Sequence, residues 1–485
     1  MTNSNKPALR PWSRPLSAKE SLASGQPEAL AAAFSGAPGF FWLDSADVRL
    51  RGANAKGRWS YLGARPAFTW TVRGDQATRE DGSGARITET IRPFKLMARE
   101  FAAHAALRPD NYAGPAFAGG WIALLGYDLG RDVERLPVHA QNDLPFPELR
   151  LAFHEWVLAY DHAEGCWWFA SLKPGTGADA DALLRAHAVK RTSQPSPPIK
   201  VRTSPLAPAL HCNFTREDYE AAVRRALEYI AAGDIYQLNL SQRFESAWSG
   251  SGLSLYQALC AVSPAPFGAC LNVGPGLHVA SISPELFLQV RDRNVVTRPI
   301  KGTRPRGATP EEDQRLAADL EASLKERAEL TMIVDLERND LGKVCDYGSV
   351  RVVSPGELEA HPTVFHRVAT VTGRLHERRS VAELLRATFP GGSVTGAPKK
   401  RALELIEELE PARRGPYCGA LGWIGADGNL ELNLAIRTAL FDVAQGKAWY
   451  QAGGGIVADS DPAREYDETL AKARAFFTTL GAEPL

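Results

Sequence analysis

The chain has 485 residues, with 56 Lys+Arg against 56 Asp+Glu, 44% hydrophobic residues and 23% charged ones. A formal net charge of zero argues against a nucleic-acid partner, and no apolar run approaches the ~20 residues that a membrane span requires. Six scattered cysteines, none in a CxxC pair, exclude a disulfide framework or zinc motif and point to a reduced, cytoplasmic setting.

The first stretch, Met1 to Lys19, is polar and rich in Pro and Ser, and without the apolar core of a signal peptide it reads as a frayed tail. Residues 1–185 then form a strand-rich unit. Phe40–Leu43, Phe68–Val72 and the run Leu151 to Tyr160 are aromatic or alternating, and turns such as Asp81-Gly82-Ser83-Gly84 separate them. Residues 186–210 carry Pro and Ser without hydrophobic periodicity and read as a linker. In the remaining unit, 211–485, helical periodicity recurs over Asp218–Ala232, Pro310–Asp340, Val381–Thr388, Lys399–Leu409 and Pro462–Leu480. The last of these has Asp461 as its expected N-cap and Pro462 at the first helical position.

Chemistry concentrates in the second unit. Pro299 to Arg306 (PIKGTRPR) follows a β-branched strand end, Asn294 to Thr297, and is predicted to hold Lys301 in a tight turn with its amine aimed into a cleft. An amine is a nucleophile only when neutral, a form favoured by desolvation or by nearby cations such as Arg298, Arg304 and Arg306. Taken alone, the stretch fits a solvated basic loop better. The run Pro390 to Lys400 (PGGSVTGAPKK) opens a helix and suits an anion cradle, although it lacks the GxxxxGK[ST] pattern of a nucleotide P-loop. Gly453-Gly454-Gly455 follow the strand Ala448–Gln451, where something can approach the backbone closely. Glu468 and Lys472, four apart, share a helix face, as an ordinary surface ion pair would or a metal ligand beside an anion-binding lysine. Glu329 stands at the border of an apolar face made by Leu330, Ile333, Val334 and Leu336, where a carboxylate requires a partner.

In this order, these motifs resemble the chorismate-utilising enzymes: component I of anthranilate and aminodeoxychorismate synthases, with isochorismate and salicylate synthases as more distant relatives. The carrying residues are Gly233 to Ser241 (GDIYQLNLS), Ser283-Pro284-Glu285, Pro299 to Thr303, Arg327 to Glu329, Met332 to Asp340, Gly391 to Lys399, Gly454 to Ser460 and Glu465 to Thr469. The likeness spans the second unit. In the first it is weaker, resting on Leu43-Asp44-Ser45 and Gly119 to Asp128.

The resemblance implies an α+β fold of two facing antiparallel β-sheets flanked by helices, with residues 211–485 as the chorismate-binding catalytic domain. It implies Lys301 as the nucleophile that attacks C2 of chorismate, since aminodeoxychorismate synthases read PIKGT where anthranilate synthases read PIAGT. Glu285 is implied as general acid, and Glu329 and Glu468 as Mg²⁺ ligands. The implied substrate-binding set is Gln237, Thr303, His366, Thr395, Gly396, Tyr417, Arg437, Lys472 and the Gly454-Gly455 backbone. Isochorismate and salicylate synthases carry a lysine base where this chain has Gln237, which disfavours addition of water at C2. The expected reaction joins chorismate and ammonia to give 4-amino-4-deoxychorismate. An anthranilate synthase component is the alternative, and a catalytically inactive scaffold for an amidotransferase is a third reading. No glutaminase signature such as a GxCxGxQ elbow occurs, so ammonia is expected from a separate glutamine amidotransferase subunit. Asp44 stands at the acidic position of an LLES-like signature, which leaves tryptophan binding open.

Overall fold

The computed structural model describes residues 12–15, 27–45, 57–107, 112–173, 209–361 and 364–483. Most of the expected linker, 186–208, and most of the N-terminal tail lie outside them. Among the described residues two sheets of twelve strands each organise the fold, and every strand pairing within them is antiparallel. Both sheets draw strands from both sides of the linker. In the first sheet Phe41–Asp44 pairs with Phe267–Gly274, and in the second Gly120–Leu125 pairs with Ala420–Gly425.

Side chains on a strand alternate faces, and the sequence uses that alternation to build two kinds of core. Phe41 and Leu43 point between the sheets, where they join Ile122, Leu124, Leu421, Trp423 and Trp449. Trp42, between them, points outward and packs with Phe34, Leu255, Tyr256 and Phe476 of the helices Pro27–Phe34, Gly252–Val262 and Pro462–Leu480. The second sheet's outer face packs under Pro93–Ala103, Leu324–Gly342 and Val381–Thr388 through Met97, Leu330, Val334 and Leu385. The expected pair of facing, helix-flanked antiparallel sheets is therefore the observed one. Among the described residues no helix is long and apolar enough to cross a membrane.

Helix ends follow local chemistry. Asp461 accepts a hydrogen bond from the Arg464 backbone N–H at 3.0 Å, as its position before Pro462 predicts. Ser380 and Glu383 close a reciprocal capping box on Val381–Thr388.

Three elements differ from the sequence expectation. The helix expected over Pro310–Asp340 is two helices, Pro310–Ala322 and Leu324–Gly342. Ser323 breaks them by adopting extended geometry (φ −63°, ψ 110°), and its hydroxyl caps the second helix through the Glu326 N–H. The run Leu151 to Tyr160 is likewise two strands, Leu149–His154 in the second sheet and Trp156–Asp161 in the first. Apolar periodicity continues through Glu155 because both strands are buried, so the pattern hides the crossing. Gly453 to Gly455 do not follow a strand but lie within one, Lys447–Ile456, paired along its length with Gln237–Ala247.

Candidate active site

A cavity of about 560 Å³ opens where that strand pair faces Ile300–Pro305, at the end of the second sheet. The helices Leu324–Gly342 and Pro462–Leu480 close its sides, and segments around Glu285, Ser393, Tyr417 and Arg437 complete it. Of the residues singled out from sequence, Glu285, Lys301, Thr303, Glu329, His366, Tyr417, Arg437, Gly455, Glu468 and Lys472 line this one space.

Lys301 sits in a bulge within a strand, not in a tight turn. Ile300 pairs with Val368 and Thr303 with His366, so one extra residue is accommodated, and Gly302 takes φ +84° to absorb it. The Lys301 ammonium Nζ lies 3.6 Å from Glu329 Oε2. The arginines close to it in sequence have partners of their own: Arg298 pairs with Glu359, Arg304 with Asp319 and Glu326, and Arg306 with Asp313. Each of these carboxylates offsets part of the cationic field that the sequence alone suggests.

Glu285 is 4% exposed and accepts a hydrogen bond from the Ser393 hydroxyl at 2.6 Å. Burial pushes its carboxyl up to about 7, against the pull of Ser393 and of the Lys301 charge. Near neutral pH it can thus hold or release a proton, as a general acid must. His366 is pushed down to about 3 by burial, with His361 and Arg437 adding to the effect, so it is neutral; its Nδ1 lies 2.9 Å from Thr303 Oγ1. Arg437 adopts φ +51° and has no ion-pair partner among the described residues. An unpaired guanidinium on the wall of a cavity is a ready bidentate site for a carboxylate.

The helix Pro462–Leu480 brings two carboxylates over the glycines. A Cβ at Gly454 would lie 2.8 Å from Glu465 Oε2 and 3.7 Å from Glu468 Oε1, so glycine makes room for them. Lys472 holds Glu468 at 2.6 Å and the Gly453 carbonyl at 2.7 Å, and its charge keeps Glu468 below the usual carboxylate range. Glu329 and Glu465 are instead raised by burial, with the Glu468 charge a further cause in each case. Among the described residues no three His, Cys, Asp or Glu side chains form a preassembled metal cage. Mg²⁺ does not require one, since it takes one or two carboxylates and completes its shell with water and substrate oxygens. Carboxylates that repel one another in a half-buried space fit such an ion.

The remaining sequence candidates lie behind this wall. Thr395 donates to the Gly391 carbonyl at 3.0 Å, and Gly396 pairs with Leu238, where any Cβ would collide with the Gln237 carbonyl at 2.2 Å. Gln237 approaches the site beside Gly455: a Cβ there would lie 2.7 Å from Gln237 Nε2 and 2.8 Å from Lys301 Nζ. Lys399, in the expected anion cradle, is committed inward to Asp340 and to the Thr388 and Pro390 carbonyls. Sequence reasoning gave no site role to Glu465, Ser393, Asn239 or Gln451, all on the cavity wall. Glu465 was detectable, being three residues before Glu468 on the same helix face. It also passed over Glu337, which with Asp340 shares the buried face of its helix, whereas Leu336 is only partly buried. Burial pushes Glu337 up to about 8.

Comparison with known proteins agrees with this geometry. Residues 49–478 match the chorismate binding enzyme family. The chain belongs to that family. It is 40% identical over 419 residues to an aminodeoxychorismate synthase component 1 from Klebsiella aerogenes, covering 86% of this chain and 89% of that one. It is also 40% identical over 444 residues to an anthranilate synthase component 1 from Thermus thermophilus, covering 90% and 91%. Among solved structures, anthranilate synthase component I from Streptococcus pneumoniae superposes with a TM-score of 0.73 at 28% identity, over 89% of this chain and 96% of that one. The chain is a chorismate-utilising enzyme, and equal identity to two kinds of synthase leaves the choice of product to the site.

Proposed function

We propose that this enzyme converts chorismate and ammonia to 4-amino-4-deoxychorismate, a step toward para-aminobenzoate and folate. The observation that carries the reading is Lys301, an amine on the cavity wall with a buried, protonatable Glu285 in the same space. In this reading Lys301, as the free amine, attacks C2 of chorismate. The C4 hydroxyl leaves as water, taking the proton from Glu285. Ammonia then attacks C4, the C2–Nζ bond breaks, and its electron pair returns to the lysine. Arg437 and Lys472 supply positive charge for the two carboxylates of chorismate. Glu329 and Glu468 are the residues that would hold Mg²⁺, which neutralises carboxylate charge and fixes its orientation. Ammonia is supplied by a separate glutamine amidotransferase subunit.

The equally similar anthranilate synthase from Thermus thermophilus supports a second reading, amination at C2. Both are tested by incubation with chorismate, Mg²⁺ and ammonium at alkaline pH, followed by chromatography. A peak that a lyase converts to para-aminobenzoate supports the first reading; anthranilate overturns it in favour of the second. Ammonium salts should sustain turnover and glutamine alone should not, and robust glutamine-dependent turnover by the isolated chain removes the need for a second subunit.

A further inference from the structure

Behind Glu285 lies a second buried carboxyl to which the reaction above gives no role. Glu337 is 8% exposed, and its Oε2 accepts a hydrogen bond from the Thr297 hydroxyl at 2.9 Å. Among the described residues it has no cationic partner: Lys399 and Lys343 both turn to Asp340, one turn further along the same helix. A cavity of about 10 Å³ beside it, bordered by Thr297, Asp340, Thr388 and Gly392, has room for one water at most. A carboxylate with one hydroxyl donor and so little water is costly to bury, so the neutral acid is the form this site holds. The surrounding groups agree with that state. Burial above all pushes Glu337 up to about 8; the Thr297 bond opposes it, the Glu285 charge adds to it, and Lys399 and Asp340 pull in opposite directions. Arg298, next to Thr297, is committed to Glu359, and the Thr388 hydroxyl donates to the Leu384 carbonyl at 3.0 Å.

Two segments hold Glu285: Ser393, whose hydroxyl donates to it, and Ile300, whose backbone N–H does the same. Glu337 touches the supports of both. Thr297 stands three residues before Ile300, on the strand Asn294–Arg298. Gly392 immediately precedes Ser393, and a Cβ there would lie 3.0 Å from Leu336 Cδ2 and 3.6 Å from Glu337 Cγ. We propose that Glu337 is a positioning residue: as the neutral acid it seats the Thr297 strand end and the Gly392–Ser393 turn against its helix, and through them it keeps Glu285 aimed at the leaving hydroxyl. The proposal rests on the reading of Glu285 as general acid. Ionisation undoes the arrangement, since a charge here repels the Glu285 carboxylate and draws water into a space that has no room for it. The site is thus built to work while Glu337 is neutral and to fail as pH rises through about 8.

The test compares wild type with Glu337→Gln, which keeps the shape and an acceptor for Thr297 but cannot ionise. It reads kcat/KM for chorismate at about pH 7 and pH 9 with free ammonia held constant. At pH 7 the two should agree within about twofold. At pH 9 Glu337→Gln should exceed wild type by about tenfold, because only about a tenth of wild-type molecules keep the neutral acid one pH unit above 8. Infrared difference spectra over the same range follow the group itself. The C=O stretch of a neutral carboxylic acid should disappear in wild type, be missing from Glu337→Gln, and titrate at lower pH in Glu285→Gln, where the Glu285 charge is gone. An equal ratio of the two enzymes at both pH values overturns the proposal, since Glu337 then only fills space. So does an acid band that persists in Glu337→Gln, or one that titrates in Glu285→Gln where it does in wild type, because the two carboxyls are then uncoupled. Wild-type turnover by Glu285→Gln removes the acid reading and this proposal with it. A Glu285→Gln that loses turnover, beside a Glu337→Gln with no alkaline advantage, removes the proposal alone.

Discussion

Two sets of buried charges lie against the strand Gln237–Ala247, and they are finished to different degrees. In the first, Arg414 is 1% exposed and forks onto Glu410 at 2.7 and 2.9 Å, then reaches the Val394 and Asn239 carbonyls at 2.8 and 2.7 Å. Glu410 also accepts from the Ser241 N–H and hydroxyl, both at 2.8 Å. The second set is the cavity, where, among the described residues, Glu285 has one side-chain donor, Glu329 has only Lys301 at 3.6 Å and Lys325 at 4.0 Å, and Arg437 has no ionic partner. A buried charge with every bond made holds backbone in place. One left short of partners is held ready for something that arrives. The first set ties down Asn239 and Val394, which are themselves wall residues of the second, so the satisfied cluster frames the unsatisfied one.

If that division is right, substitutions should separate cleanly into those that end turnover and those that unfold. Lys301→Ala should show the largest effect, a loss of C4 amination on the order of 10³–10⁶-fold with an unchanged melting temperature. Wild-type amination by this variant, with no adduct seen by mass spectrometry in the parent, would refute the covalent role.

Glu285→Gln should lose about 10²–10⁴-fold in kcat while gaining stability at high pH. The folded carboxyl lies at about 7, above its ordinary 4.5. Glu285 therefore contributes fully to stability below about pH 4.5, and that contribution is lost as pH rises through 7. The glutamine variant should be more stable than wild type by about 1–3 kcal/mol at pH 8 and no more stable at pH 4.5, as urea unfolding at the two pH values will show.

Arg414→Ala probes the other set. It strands Glu410 in the interior and should cost about 3–5 kcal/mol, read as a lower urea midpoint, while molecules that remain folded keep their chorismate KM. A smaller loss in stability than in kcat would erase the contrast between the two clusters.

Smaller effects sharpen the picture. Glu329→Gln and Glu468→Gln should each raise the Mg²⁺ concentration for half-maximal activity by about 10–100-fold without unfolding, because an amide is a poor ligand for a hard cation. Normal Mg²⁺ dependence in both would dismiss the two-carboxylate assignment. Finally, with free ammonia held constant, the pH profile of kcat/KM for chorismate should change slope near 7 as Glu285 loses its proton. In Glu285→Gln that change of slope should be gone.

Much of this was legible in the sequence wherever the cause is local. The Asp461 cap, the helices Val381–Thr388 and Lys399–Leu409, and the Glu468–Lys472 pair follow from interactions within a turn or two of chain. The motif order from Gly233 to Thr469 likewise announced the family and the two facing sheets. Beyond that range the tertiary structure decided. Glu285 meets Ser393 across 108 residues of sequence, and no periodicity records that contact. The strand break at Glu155 escaped notice because burial is continuous across it, and the helix break at Ser323 because helix-forming residues continue on both sides. Whether a carboxylate is a proton donor, a metal ligand or a tie for the backbone was also unreadable, since that depends on desolvation and on partners brought in from other elements. Identity and spacing settled which groups the chain owns; packing settled which of them were left unsatisfied around Lys301.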